Sequence, residues 1–201
     1  MDTSALIDLL RSAVPGVSVD ASASIDMPTL VVDRAHVVET LRVLRDDPAL
    51  QFALLVDVTA VDYLPAAPRF EIVYHVACLG DAYSSGAPAP ARRLRLKSRV
   101  PGDDPWIDSC VSIFPAAGWS EREIFDLFGI HFEGHPDLRR ILMPDDWDGY
   151  PLRKDYPVQI RKTAGHWSPL QLTAEEFAAN VRGTRDRAVA DAEQHPRRSG
   201  D

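Results

Sequence analysis

Residues 69–79, RFEIVYHVACL, and residues 92–100, RRLRLKSRV, decide the fold. In the second segment apolar residues alternate with basic ones, from Arg93 to Arg99. This pattern predicts a strand with one buried face and one basic, solvent-exposed face. In the first segment apolar or aromatic residues recur at every second position from Phe70 to Cys78, which predicts another strand.

Upstream of these strands, helical and strand patterns alternate. Residues 4–14 carry apolar side chains at helical spacing, and residues 30–32 predict a short strand. Asp33 is placed to cap a second helix, which Pro48 closes. Residues 52–61 are mostly apolar and rich in β-branched side chains, which predicts a strand covered on both faces. The order predicts an α+β fold, with helices packed on a mostly antiparallel or mixed sheet of about four strands.

Downstream of the strands, the sequence predicts two short helices, over residues 105–115 and residues 119–129. In the second helix, Gly129 occupies the position after the last turn that favours glycine. Two further signals mark the expected start of that helix. Ser120 and Glu123 have the spacing of a capping box, and Trp119 and Ile124 occupy the positions of a hydrophobic staple.

The chain is predicted to divide into three parts. Residues 1–118 form the α+β domain, and residues 119–157 combine the last helix with an irregular loop. That loop mixes aromatic, aliphatic and arginine side chains, the composition of a protein interface. Residues 158–201 are predicted to form an extended, irregular tail with a possible helix between Thr173 and Val189.

Composition excludes several classes of protein. The 201 residues carry a net charge of −8, which argues against an electrostatically driven nucleic-acid partner. We find no apolar run long enough to span a membrane and no basic, apolar leader at the N-terminus. Cys78 and Cys110 are predicted to be buried thiols, since no Cys-x-x-Cys spacing typical of zinc or iron–sulfur sites occurs.

Few residue patterns suggest chemistry. His131, Glu133 and His135 lie close together, but the glycine and proline around them favour a structured loop over a metal site. Glu121 and Glu123 could form an acid/base pair, although residues two apart on a helix point in different directions. The usual nucleotide-binding and serine-hydrolase motifs are absent from the sequence.

The basic strand face from Arg93 to Arg99 has two open interpretations. A solvated surface or a contact for an acidic protein partner is favoured over a third possibility, phosphate binding, because the chain is acidic elsewhere. Single-stranded nucleic acid is disfavoured because no aromatic residues interleave with these bases.

The segment of residues 119–157 resembles the C-type subunit of the proton-translocating NADH:quinone oxidoreductase, respiratory complex I. The matching stretches are EREIFDLFGI at residues 121–130, FEGHPDLRRIL at 132–142 and PLRKDYP at 151–157. An upstream match, DVTAVDY at residues 57–63, extends the resemblance over residues 34–157. We call residues 119–157 the signature segment. One departure is Tyr150, where the family often has histidine.

The resemblance implies a non-catalytic structural subunit of the hydrophilic arm of complex I. It implies that this chain binds no cofactor of its own, while the whole complex uses FMN, iron–sulfur clusters and quinone. The implied partners are the large quinone-site subunit, known as the D-type subunit, and the terminal-cluster subunit, known as the B-type subunit. The implied location is the cytoplasmic face of the bacterial cell membrane, reached only through the complex.

The resemblance also implies that the signature segment holds the interface with these neighbours. Twelve candidate interface residues follow from it: Glu121, Arg122, Glu123, Asp126, His135, Arg139, Arg140, Trp147, Arg153, Lys154, Asp155 and Tyr156. We expect the basic side chains among them to be solvated in the isolated chain and to bind partner carboxylates in the complex.

Two alternatives stay open. The chain could be the homologous subunit of a membrane-bound hydrogenase or a related dehydrogenase complex. It could also be a free-standing enzyme that uses Glu121, Asp126 and His135.

Overall fold

The structure, a computed structural model, describes residues 2–80 and 91–157, together with Thr173, Glu175 and Ala179. The described residues up to Tyr156 form one compact unit, in which residues 119–156 pack with the predicted α+β domain. Apart from those three single residues, the predicted tail of residues 158–201 and its possible helix lie outside the described residues.

Five strands form the central sheet, in the order β1-β2-β5-β4-β3. Neighbouring strands are antiparallel except β2 and β5, which are parallel. The mixed sheet confirms the predicted fold class, with one strand more than expected. The extra strand is β1, which is only four residues long. The strands are Val19–Ser22 (β1), Thr29–Val32 (β2), Leu54–Asp62 (β3), Phe70–Cys78 (β4) and Arg92–Val100 (β5).

Three α-helices accompany the sheet: Thr3–Ala13 (α1), Val37–Asp46 (α2) and Ala117–Phe128 (α3). Helices α1 and α2 confirm the predictions made from the helical spacing of apolar residues. The predicted cap at Asp33 is wrong, because a 3₁₀ turn, Arg34–His36, precedes α2. The Asp33 carboxylate instead accepts the N–H of Ser18 at 2.7 Å.

The core lies between the helices and one face of the sheet. Side chains from α1, α2 and α3 pack with those of the central strands in a single buried cluster. β5 alternates buried and half-exposed residues as predicted. The prediction that β3 is covered on both faces is wrong, since Val56 and Val61 are exposed. β3 is an edge strand, and the helices pack on the other face of the sheet.

The helix predicted over residues 105–115 is also wrong. Trp106–Asp108 (β6) pairs in parallel with His131–Glu133 (β7), a strand absent from the sequence prediction. Ile107 and Phe132 are buried at this pair, so a long-range contact overrides the local helical pattern. Only a single turn, from Cys110 to Phe114, is helical in its hydrogen bonding.

No helix among the described residues has both the length and the apolar character needed to cross a membrane.

Candidate interface around the third helix

Helix α3 begins earlier than the sequence predicts. Its first residue is Ala117, so Ser120 lies inside the helix and caps nothing. Trp119 is 66% exposed and cannot serve as a hydrophobic staple. The predicted end is correct, because Gly129 closes the helix in the left-handed conformation with φ 69°.

Glu121 faces the interior of the protein. Its carboxylate accepts the hydroxyl of Ser109 at 2.6 Å and the backbone N–H of Cys110 at 2.8 Å. Burial raises the pKa of Glu121 above its usual value, and the two hydrogen bonds offset only part of that effect. Glu121 therefore joins α3 to the turn that follows β6. Glu123, by contrast, is exposed on the helix surface.

Asp126 is a fully buried acceptor. Its Oδ2 accepts three successive backbone N–H groups, those of Ile141 at 3.0 Å, Leu142 at 2.7 Å and Met143 at 2.8 Å. Its Oδ1 accepts the Arg140 guanidinium at 2.8 Å. Burial alone would raise the pKa of Asp126, but these hydrogen bonds lower it below its usual value. The irregular chain after β7 is thereby fixed to α3.

Two arginines complete this attachment. Arg122 donates to the carbonyls of Arg139 at 3.0 Å and Arg140 at 2.9 Å. Arg140 donates to the carbonyls of Trp147 at 3.1 Å and Gly149 at 3.2 Å. We call residues 139–156 the strap. Side chains of the protein body form hydrogen bonds with its backbone, and so does the side chain of Arg140, which belongs to the strap itself.

Arg153 and Tyr150 anchor the strap at the end of α3. Arg153 donates to the carbonyl of Phe128 at 2.5 Å and lies over the Tyr150 ring, 4.6 Å from its centroid. That ring packs directly against Gly129, where it would collide with any β-carbon. The aromatic ring at position 150 therefore has a packing role. The expectation that the basic side chains would be solvated is wrong for Arg140 and Arg153, which are half-buried and bonded within the chain.

The end of the strap is held by Asp62 and Arg69, which are not among the twelve candidate interface residues. Asp62, at the end of β3, accepts the Lys154 N–H at 2.8 Å and both Arg69 Nε at 3.0 Å and Nη2 at 2.7 Å. Arg69 also binds Asp155 through two hydrogen bonds, at 3.1 Å and 2.6 Å. The signal for Asp62 was its place in the upstream match, DVTAVDY. Arg69 carried no such signal.

The remaining predicted residues lie around the strap. Arg139 is exposed and binds Asp137 through Nε at 2.6 Å and Nη2 at 2.7 Å. Trp147 accepts a hydrogen bond from Arg140 through its carbonyl, and the Tyr156 hydroxyl donates to the carbonyl of Asp148 at 3.2 Å.

His135 is used structurally. Its Nε2 lies 3.1 Å from the Gly118 carbonyl, and its Nδ1 accepts the Asp137 N–H at 3.0 Å. Both ring nitrogens therefore have partners in the chain. Within residues 2–80 and 91–157, no three His, Cys, Asp or Glu side chains converge in a group that could hold a metal ion.

The free-standing enzyme hypothesis needs Glu121 and Asp126 to act as an acid or a base, but neither carboxylate is accessible to a substrate. The side chains of Glu121 and Asp126 are fully buried and hydrogen-bonded, so a substrate cannot reach either. Instead, the polar groups of the signature segment rigidify a surface.

Known proteins share the sequence pattern of this chain. The family profile of the respiratory-chain NADH dehydrogenase 30 Kd subunit matches residues 30–162. The C-type NADH-quinone oxidoreductase subunit from Saccharopolyspora erythraea is 50% identical over 131 residues, which is 65% of this chain and 49% of that protein. The match thus spans about half the length of that relative.

Two solved structures share the fold. The trypsin-resistant fragment of Nqo5 superposes with a TM-score of 0.54 at 29% identity, covering 69% of this chain and 100% of the fragment. A chain of the membrane-bound sulfane sulfur reductase, an archaeal respiratory membrane complex, superposes with a TM-score of 0.58 over 77% of this chain and 85% of that one. At 23% identity the second likeness concerns the fold alone.

The family match covers strands β3 to β5, most of β2 and the strap, whose residues carry the resemblance first seen in the sequence. The chain belongs to the family of the 30 Kd subunit of the respiratory-chain NADH dehydrogenase.

Proposed function

We propose that this chain is a non-catalytic structural subunit of the hydrophilic arm of an NADH:quinone oxidoreductase of the complex I type. In that role it supports the quinone-reducing module, while other subunits carry electrons from NADH to quinone and couple this to proton translocation. The chain itself would bind neither FMN nor an iron–sulfur cluster.

One observation carries the proposal. Charged residues of the signature segment, among them Arg122, Asp126 and Arg140, fix an exposed irregular strap to the protein body. Asp126 alone accepts three backbone N–H groups of the strap. A surface that is rigid before binding loses less conformational entropy on association, which favours affinity.

We propose that this surface contacts the large quinone-site subunit and the terminal-cluster subunit. Association with the cytoplasmic face of the membrane would then be peripheral and would depend on the complex. The twelve candidate interface residues divide under this proposal. Buried members such as Asp126 shape the surface, and exposed members such as Glu123 and Arg139 lie at its edge.

The test is the recovery of partners with a tagged full-length chain. Membranes are solubilised in a mild detergent, and the purified material is assayed for NADH oxidation with a quinone acceptor. We expect co-purification of the other hydrophilic-arm subunits and quinone-dependent turnover. Recovery of a hydrogenase large subunit with nickel-ligating cysteines would replace the proposal with the hydrogenase alternative. Turnover by the chain alone would support the free-standing enzyme.

A further inference from the structure

The outer side of α3 and the strap carries three exposed apolar side chains. Trp119, Leu142 and Leu152 are 66%, 61% and 52% exposed. All three lie where the strap is bonded to α3. Arg122 lies over the Trp119 ring, 5.4 Å from its centroid, and donates to carbonyls of the strap. The Leu142 N–H binds Asp126, and the Leu152 N–H donates to the carbonyl of Leu127 at 3.0 Å. Apolar side chains exposed on such a rigid surface are typical anchors of a protein interface.

The arginines next to these anchors already donate hydrogen bonds within the chain. Arg122 and Arg153 donate to backbone carbonyls, and Arg140 donates to Asp126 as well as to carbonyls. Arg139 is exposed, but both ends of its guanidinium bind Asp137. The sequence hypothesis, in which these arginines fork onto partner carboxylates, therefore meets donors that are already used.

Among the exposed charges near these anchors that form no ion pair with a described residue, acids outnumber bases, and the base is Lys154 beside Leu152. Asp145 and Asp146 occupy the centre of a turn closed by the Trp147 N–H on the Pro144 carbonyl at 3.0 Å, and Asp148 follows it. All three acids are exposed. Across the described part of the chain, none of them forms an ion pair with a basic side chain. Glu123 adds a fourth exposed carboxylate on α3.

We infer that the surface formed by Trp119, Leu142, Leu152 and the acidic turn of residues 144–148 binds a basic partner surface, with Leu142 as the anchor next to the turn. The partner presents Lys or Arg side chains around an apolar socket. The inference rests on the proposed function, since it specifies the chemistry of the neighbouring subunit. It reverses the charge that the sequence alone suggested for that neighbour. Complementary charge around an apolar anchor fixes register and speeds association.

The experiment reverses the charge of the turn in the full-length chain. Cells carry Asp145→Lys/Asp146→Lys in place of the wild-type chain, and the assembled complex is quantified on native gels of detergent-solubilised membranes. Like charges brought together at an interface weaken binding strongly, so the assembled complex should fall by about tenfold or more. Asp145→Asn/Asp146→Asn keeps the shape of the turn and should cause a smaller loss of the same kind.

Two control variants separate this inference from its alternatives. Asp103→Lys reverses one exposed acidic charge on the loop between β5 and β6 and should assemble at the wild-type level. Arg139→Gln removes a base at the edge of the surface, and its loss of assembly should be smaller than that of the Asp145→Lys/Asp146→Lys variant, whereas an acidic partner surface would reverse this order.

Wild-type assembly of the Asp145→Lys/Asp146→Lys variant would overturn the inference, and so would a defect confined to Arg139→Gln. A thermal melt of each purified chain shows whether a variant is unfolded. If the Lys variant is unfolded, the assembly of Asp145→Asn/Asp146→Asn tests the inference in its place. Failure of the proposed function looks different, because the tagged wild-type chain would then be missing from any NADH-oxidising complex.

Discussion

The carboxylate of Asp62 accepts the backbone N–H of Lys154 at 2.8 Å, across 92 residues of sequence. Arg69 binds both Asp62 and Asp155, so one guanidinium joins the end of β3 to the end of the strap. Asp62 is almost fully buried, and its pKa is held well below the usual range, chiefly by its hydrogen bonds to Arg69. The end of the strap is thus bonded to the sheet itself.

We expect Asp62→Ala to lower the free energy of unfolding by about 3 kcal/mol, because it leaves the Arg69 cation with one partner fewer and the amides of Leu64 and Lys154 without their acceptor. Urea denaturation of the purified chain measures this loss. Asp57→Ala, at an exposed position on the same strand, serves as the control and should stay within about 0.5 kcal/mol of wild type. Equal effects of the two substitutions would show that Asp62 does not hold the strap.

Glu121 should make stability fall as pH rises. Its pKa is raised in the folded state, mainly by burial, so its contribution is fully present below its unfolded value of about 4.5. That contribution is lost as pH rises through the folded value. Glu121→Gln is neutral at every pH and should flatten this part of the profile. Glu123→Gln, two residues away and exposed, should leave the slope unchanged.

Two other carboxylates, Asp62 and Asp126, should control how stability changes at low pH. Asp62 and Asp126 have depressed pKa values, so their contributions are present above about 3.8 and are lost as pH falls further. Chemical denaturation at a series of pH values, for wild type and Glu121→Gln, separates the two limbs. An unchanged slope between neutral and mildly acidic pH in the Gln variant would contradict the assignment to Glu121.

Gly129 is constrained both by its left-handed backbone and by a close neighbour, whereas Gly134 has only the left-handed backbone. Both have positive φ, 69° and 78°, but a β-carbon at Gly129 would collide with the Tyr150 ring, while the space around Gly134 is open. Gly134→Ala should therefore cost about 1 kcal/mol of left-handed strain. Gly129→Ala should cost about 3 kcal/mol, since overpacking adds to the strain. Thermal melts compare the two variants, and equal costs would show that Tyr150 does not pack there.

Ser120→Ala tests where α3 starts. A serine inside a helix contributes little, so the substitution should change stability by less than about 0.5 kcal/mol. A helix starting at Ser120 would instead lose the cap and about 1 kcal/mol. The melting temperature of the variant decides between the two starts.

Local patterns predicted the elements whose partners are close in sequence or whose apolar spacing is regular. α1, α2 and the alternation of β5 follow from such spacing, as does the end of α3 at Gly129. The pattern failed at residues 105–115, because β6 pairs with β7 more than twenty residues away. An apolar run of that length is compatible with a helix until its distant partner is known.

The candidate site was predicted in outline and not in its contacts. The signature segment contains the strap, and Arg140 and Asp126 were both selected. Composition cannot tell whether an arginine finds its acceptor in its own chain or in a partner. Here Arg140 and Arg153 find theirs within the chain, and the exposed acids of the turn at residues 144–148 form no ion pair with the residues that the structure describes.

The central claim is that the chain supports the complex without taking part in its chemistry. The most direct measurement is NADH:quinone turnover per assembled complex, in membranes from cells carrying wild type, Asp62→Ala, Gly129→Ala or Arg153→Ala. These substitutions weaken the strap to different degrees, so we predict that the amount of complex falls while turnover per complex stays constant. Full assembly with lost turnover in any of them would contradict the account and give that residue a direct part in the reaction.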